Sequence, residues 1–339
     1  MHLLIVTQVV DRNHPVLGFF HKWIEVFARE WEHVHVIALQ VGEYDLPENV
    51  SVHSLGKEEG VGKVGYVSRF FGYVWKYRKE YDAVFVHMNQ VYVLLGGWLW
   101  KFWKKQVALW YVHHHVSVSL RMAERIVDII FTTDKESFRL PSSKVQYMGH
   151  GIAFDMLPEA PLWERGPLHL ITIGRVSPVK HVEDIVAVTE KLGGARLTVV
   201  GGPATPQDKV YMHNLIAKSS DAIDWRGPVS HAEAVTALAD AHLFVHMSET
   251  GSTDKVVLEA LGAGVPAVST SEAFKELLEP HGLWTSNHEQ EVAKRIHEYM
   301  RLPEKVREQH RDVLRDCVRK KHGLTGLIGR ITTVLSSPE

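Results

Sequence analysis

Arg175 and Lys180 stand five residues apart in "ITIGRVSPVKHVEDI", directly after an apolar run that ends at Gly174. Two cations one loop apart at the end of a strand suit a diphosphate. Arg offers a planar fork to the oxygens and Lys a compact point charge. Gly174 lets the backbone approach a ligand closely. The competing reading is a loop whose two cations are merely solvated. A second stretch, "SETGSTDKVVLEALGAGVPAVST" from Ser248 to Thr270, bears on that choice. Small and polar residues (Glu249, Gly251, Ser252, Thr253, Asp254, Lys255) precede an apolar helix expected to start near Asp254 or Lys255. The first N–H groups of such a helix make an anion site. Glu259 falls about one turn into it, where a carboxylate can accept two hydrogen bonds from a vicinal diol such as a ribose. Its alternative is a buried acid paired with a neighbouring cation.

The first half of the chain has its own polar clusters at strand ends. "LWYVHHHVSV" brings His113, His114 and His115 together, and alternation puts His113 and His115 on one face. With His87, at the end of "AVFVHM", they raise the question of a zinc site. No Cys, Asp or Glu stands beside them at ligand spacing, so no metal site is assigned. "TQVVDRNHPVLGFF" combines Asp11, His14 and Gly18 ahead of a helix, with Gly18 allowing the backbone close to a ligand, and "HMNQ" places Asn89 beside His87, polar groups able to hydrogen-bond a ligand's hydroxyls. The bland roles are a strand-to-helix turn for Gly18 and a core position for the histidines. Ser137 in "FTTDKESF", with His150 and Gly151 in "GHGI", is expected near the same edge.

These residues need strands to end beside them. Short apolar, β-branched runs recur: "LLIVTQV", "VHVIAL", "AVFVHM", "QVALWYVH" and "IIFTT", then "HLITIG", "RLTVVGG", "LFVHMS" and "PAVST". Helical periodicity fills many of the gaps, as at 18–30, 182–192 and 231–239. Continuous apolar strands with helices between them predict parallel sheets covered on both faces. The fold class is therefore α/β, with two doubly wound, Rossmann-like domains facing across a cleft, where ligands meet the carboxyl ends of strands. Prolines and charges in "FDMLPEAPLWERGPLHL" mark the seam, giving domains of 1–157 and 158–309. The helical tail is expected to return to the first domain over about 310–339.

A chain of 339 residues with 45% apolar and 23% charged residues is a folded protein with room for two cores. Its formal charge of -2 gives no reason to expect nucleic acid as a partner. A lone Cys317 excludes an internal disulfide framework. No uncharged apolar run reaches the roughly 18 residues of a membrane span. The first residues, "MHLLIVTQVVDRNHP", lack a basic region and a cleavage site, so a buried strand and a cytoplasmic location are expected. "WLWKFWKKQ", Trp98 to Gln106, interleaves aromatic and basic residues. That suits peripheral contact with the inner face of a membrane, or equally a helix that buries its Trp face and snorkels its Lys heads.

"GRVSPVK", followed by "GSTDKVVLEALGAGVPAVS", resembles the nucleotide-sugar domain of family 4 glycosyltransferases, which have the two-domain GT-B architecture. "DRNHPVLGFFHKW", "WYVHHH" and "GHGI" fall where that family has its acceptor-side loop, its sugar-contacting His and its hinge-proximal loop. The resemblance implies a retaining transfer from a nucleotide sugar to a glycan or lipid-linked acceptor, without a metal or other cofactor. Arg175 and Lys180 would neutralise the diphosphate, Glu259 would hold the ribose, and His113 would face the transferred sugar. The family's other Glu corresponds to Gly251, with Glu249 and Asp254 as nearby substitutes. A sugar-nucleotide 2-epimerase and a non-catalytic partner subunit share this architecture and remain as alternatives.

Overall fold

The computed structural model describes residues 1–113, 115–161, 163, 166–249, 251, 253–286 and 288–337. It divides into two compact units, Met1–Gly151 with His322–Glu339, and Ile152–Lys321.

The first unit starts with β1 (His2–Val10), α1 (Phe19–Glu30), β2 (His33–Val41), β3 (Val50–Ser54), α2 (Lys63–Lys76) and β4 (Ala83–His87). It continues through α3 (Val91–Phe102), β5 (Gln106–Trp110), α4 (Val118–Ile126), β6 (Ile129–Thr132) and β7 (Val145–Tyr147). All pairings are parallel, in the order β3-β2-β1-β4-β5-β6-β7. Side chains of successive strand residues point to opposite faces. Leu4, Val6, Val84 and Val86 thus share a core with Phe70 of α2, Trp100 of α3 and Leu120 of α4. Phe85, of opposite parity, meets Phe27 of α1 at 5.1 Å.

The second unit contains β8 (His169–Ile173), α5 (Val182–Lys191), β9 (Arg196–Val200), α6 (Pro206–Ile216), β10 (Ile223–Gly227) and α7 (His231–Thr236). Then come β11 (Leu243–His246), α8 (Lys255–Ala263), β12 (Ala267–Ser269), α9 (Lys275–Leu278), α10 (Glu289–Met300) and α11 (Glu304–His322). Its sheet is again parallel, ordered β10-β9-β8-β11-β12. Both sheets are doubly wound, and the strand order reverses between β1 and β4 in one and between β8 and β11 in the other. The last helix, α12 (Leu324–Ser336), packs on α1 in the first unit. There Trp31 Nε1 donates to Thr332 Oγ1 at 3.1 Å, and Arg330 donates to the Met148 carbonyl at 2.7 Å.

At one margin of the first sheet, His35 of β2 and His53 of β3 approach to 3.3 Å between ring nitrogens. Tyr77 stacks on both, Tyr73 lies against His53, His33 lies beside His35, and Glu80 is 3.6 Å from His35. Burial, then the electrostatics of neighbouring groups (His33, His53 and His2 for His35, Lys76 and His33 for His53), pushes both imidazoles down to about 4. Both folded values lie below the ordinary 6.5, so the unfolded chain takes up protons first as the pH falls. Their contribution is complete above pH 6.5 and fades toward pH 4. Thermal melts across that window should show His53→Phe, which keeps the ring stack but cannot titrate, losing less stability on acidification than the wild type. Superimposable profiles would remove this cluster as the cause.

Candidate functional site

The reversal between β8 and β11 leaves a crevice at their carboxyl ends, the place where open α/β sheets bind ligands. A 230 Å³ cavity occupies it, lined by Gly174, Arg175, Lys180, His246, Asp254 and Lys255 among others. The structure therefore gathers both cations of the first loop and the start of α8 at one point. Gly201, at the end of β9, is part of the reason. Its φ is +135°, and a Cβ there would sit 1.8 Å from the carbonyl oxygen of Gly174. Only glycine lets β9 support the Gly174–Arg175 turn from below.

Asp254 is the hub of the cavity. Its Oδ2 accepts from Lys180 Nζ at 2.5 Å and from His246 Nε2 at 2.7 Å. Lys180 Nζ also reaches Ser248 Oγ at 3.2 Å, and His246 Nδ1 lies 2.9 Å from Ser269 Oγ. Burial alone would raise the Asp254 carboxyl. The hydrogen bond and charge of His246, with those of Lys180, outweigh it and hold the group at about 2. Asp254 thus stays ionised and keeps Lys180 extended with one N–H still to offer. Arg175 is exposed and, among the described residues, makes no ion pair.

Glu259 is almost wholly buried in α8. Its Oε1 accepts from His231 Nε2 at 2.8 Å and faces Lys255 Nζ at 3.3 Å, one helical turn back. Burial opposes its ionisation, but the Lys255 charge and the His231 hydrogen bond prevail and lower it. The structure thus gives Glu259 the neighbouring Lys of its alternative reading, with His231 as a further hydrogen-bond partner. Glu249 lies 3.0 Å from His181 Nε2, whose Nδ1 contacts Asp184 at 2.8 Å. Burial disfavours the charged form of His181, but these two acids raise it. Gly251 has φ +68°. A Glu would hold that left-handed backbone only under strain, so an acid is disfavoured at this position. Thr253 lies in the same loop, whereas Ser252 falls outside the described residues.

The first-unit candidates share one edge of their sheet, at the carboxyl ends of β1, β4 and β5. Asp11 Oδ1 accepts from the Asn13 N–H at 2.9 Å, and His14 Nδ1 accepts from the N–H of Leu17 at 3.0 Å. Gly18 is required by its own loop, since a Cβ would lie 2.7 Å from the His14 carbonyl. Asn89 Oδ1 accepts from Val91 N–H at the start of α3. His87 is in the core, stacked on Phe20 at 3.7 Å, and burial depresses it to about 3. His113 is exposed; its N–H donates to the Ser137 carbonyl and its Nδ1 accepts from His115 N–H, which places a neutral ring's proton on Nε2. Among the described residues no three metal-binding side chains are grouped to hold an ion; His114 falls outside them.

His246, His231 and Ser269 escaped the sequence reading. Each was swallowed by an apolar or periodic run that served only to place a strand or helix. The usable signal was a polar residue at the carboxyl end of such a strand, as in "LFVHMS".

Residues 167–301 match the family model described as glycosyl transferases group 1. The matched segment lies wholly within the second unit. No curated protein matches the sequence. Among solved structures, HepE from Anabaena, in complex with UDP and glucose, is 17% identical over 99% of each chain, with a TM-score of 0.75. Sucrose-phosphate synthase from Thermosynechococcus elongatus is 15% identical over 98% of each, with a TM-score of 0.76. WaaG, a glycosyltransferase involved in lipopolysaccharide biosynthesis, is 13% identical over 99% of this chain and 100% of its own, at 0.66. The chain accordingly has the GT-B fold of two Rossmann-like units, and the crevice at Arg175, Lys180 and α8 lies inside the segment that the family model matches.

The Asp254 network predicts a stability effect. Asp254→Asn leaves Lys180 and His246 short of their charged acceptor, at a cost of about 1–3 kcal/mol. Urea unfolding at neutral pH should show it. A midpoint equal to that of the wild type would mean the network contributes nothing.

Proposed function

We propose that this protein is a glycosyltransferase that moves a sugar from a nucleoside diphosphate donor to an acceptor hydroxyl, with retention of anomeric configuration and without a divalent metal. The observation that carries the reading is the convergence of Arg175, Lys180 and the first N–H groups of α8 on one cavity. A diphosphate entering there meets a guanidinium, an ammonium and the positive end of a helix. As the glycosidic bond breaks, the departing diphosphate gains charge, and these fixed donors stabilise it at that moment. They supply the positive field that an ion supplies elsewhere. Glu259, held ionised by Lys255 and His231, accepts the ribose hydroxyls. His113 orients the transferred sugar through Nε2, and the leaving phosphate takes the acceptor proton on the same face. The acceptor hydroxyl belongs to a glycan or a lipid-linked glycan, reached from the cytoplasmic side of a membrane. UDP-sugars are the first donors to test, because HepE has been solved with UDP and with UDP-glucose.

Incubation with a panel of nucleotide sugars and acceptors tests the reaction. Nucleoside diphosphate released only with acceptor supports transfer. An isomerised donor would replace the reading with a 2-epimerase, and saturable binding without turnover with a non-catalytic subunit, which Gly251 in place of an acid would suit. Arg175→Ala and Lys180→Ala should each lower turnover by about 10²–10³-fold, the range for one electrostatic stabiliser. Near-normal rates in both would defeat their assignment. Glu259→Gln should weaken nucleoside diphosphate binding in calorimetry; a change in melting temperature alone would leave Glu259 a structural acid. The anomeric coupling of the product by NMR decides stereochemistry, and a β-linked product from an α-linked donor would refute retention.

A further inference from the structure

Helices α2, α3 and α4 cover one face of the first sheet, and their outward side differs from the rest of the surface. Eight of the seventeen exposed large apolar side chains of the described residues lie on these three helices. Trp98 is 61% exposed, Phe102 81% and Trp75 55%. They form one surface: α3 packs on α4, and Trp75 of α2 meets Trp103, just past α3, edge to face at 5.6 Å. The "WLWKFWKKQ" stretch divides here. Trp100 is buried, donating from Nε1 to the Tyr81 hydroxyl at 3.1 Å, while Trp98 and Phe102 point outward. Snorkelling over a buried Trp face accounts for the first and leaves the other two unexplained.

Charge is equally one-sided. The three helices carry six Lys or Arg, three in α2, one in α3 and two in α4, against the single acid Glu124. Glu124 is half-buried and accepts from Ser142 Oγ at 2.8 Å. Past the end of α3, Lys104 adds an exposed cation, whereas Lys105 turns inward to donate to the Tyr81 carbonyl. Two of the six are paired with acids just off the helices, Lys101 with Asp128 and Arg69 with Glu59, which leaves Lys63, Lys76, Arg121 and Arg125 with Lys104 as the positive charge of the face. The whole chain has a formal charge of -2, so this face concentrates positive charge that the protein as a whole lacks.

We propose that the outer face of α2, α3 and α4 docks on an anionic lipid surface. Exposed Trp and Phe enter the headgroup region, and the surrounding Lys and Arg meet lipid phosphates. A second copy of the chain is the wrong occupant, because a two-fold pairing would set this basic face against itself. Lipid fits both the aromatic residues and the charge. The proposal deepens the reading of a membrane-side acceptor and fails separately from it, since docking is measured without donor.

The test is flotation of the full chain with vesicles of phosphatidylcholine alone or with about a third phosphatidylglycerol. Binding is expected only with the anionic lipid, and it should collapse near 1 M salt, where screening acts within about 3 Å. Lys104→Gln with Arg121→Gln should weaken binding about fivefold for each charge removed. Trp98→Ser with Phe102→Ser should abolish it while leaving the melting temperature and diphosphate release with a water-soluble acceptor unchanged. Absence of binding, equal binding to both vesicles, or binding indifferent to both double variants would overturn the proposal. So would a lipid-free dimer that the Trp98 and Phe102 changes dissolve while the chain stays off the vesicles.

Discussion

One carboxylate holds the candidate site in shape. Asp254 stands at the residue before α8, accepts from Lys180 on the loop after β8, and accepts from His246 at the end of β11. One oxygen atom thus ties the start of α8 to Lys180, 74 residues back, and to His246, 8 residues back. An ionised acid half out of water is costly unless its partners are in place, which makes the arrangement cooperative. The same pairing keeps Lys180 from collapsing elsewhere. A diphosphate would compete with Asp254 for that ammonium, so the acid sets both the position of the cation and the strength with which it can hold an anion.

Much of this was legible because parallel sheets write themselves plainly. The nine apolar runs all became strands, since a strand buried on both faces must be apolar throughout. β3, β7 and β10 had no such run. Their sequences, "VSVHS", "VQY" and "IDWRG", are half-exposed, and each strand lies at the edge of its sheet. An edge strand left open to water carries little pattern, whereas β12, also at an edge, is fully buried and its run stays apolar. The start of α8 at Lys255 and its end at Gly264, φ +86°, follow from the polar run before it and the glycine after it.

The hydrogen bonds of the site were less legible than its membership. Arg175, Lys180 and Asp254 could be named from spacing, but nothing in the order of residues says that Asp254 would meet Lys180 rather than a ligand. That contact, between residues 74 apart in the chain, depends on the β8–β11 neighbourhood. Gly251 shows the same limit from the other side. Read as a letter, it is a missing acid; read at φ +68°, it is a backbone requirement that an acid meets poorly.

The first unit shows how polar residues at a strand end serve two masters. Asp11, His14 and Asn89 each spend an atom on a backbone N–H of their own loop. These bonds stiffen the edge of the sheet, and they use only one of the polar atoms that each side chain carries. His87 differs: its ring is packed between core aromatics, and desolvation keeps it neutral over the whole physiological range. Four polar residues at one sheet edge are therefore not equivalent. Those held by the loop backbone keep an atom with which to meet a ligand, whereas the one held by Phe20 has been drawn into the fold.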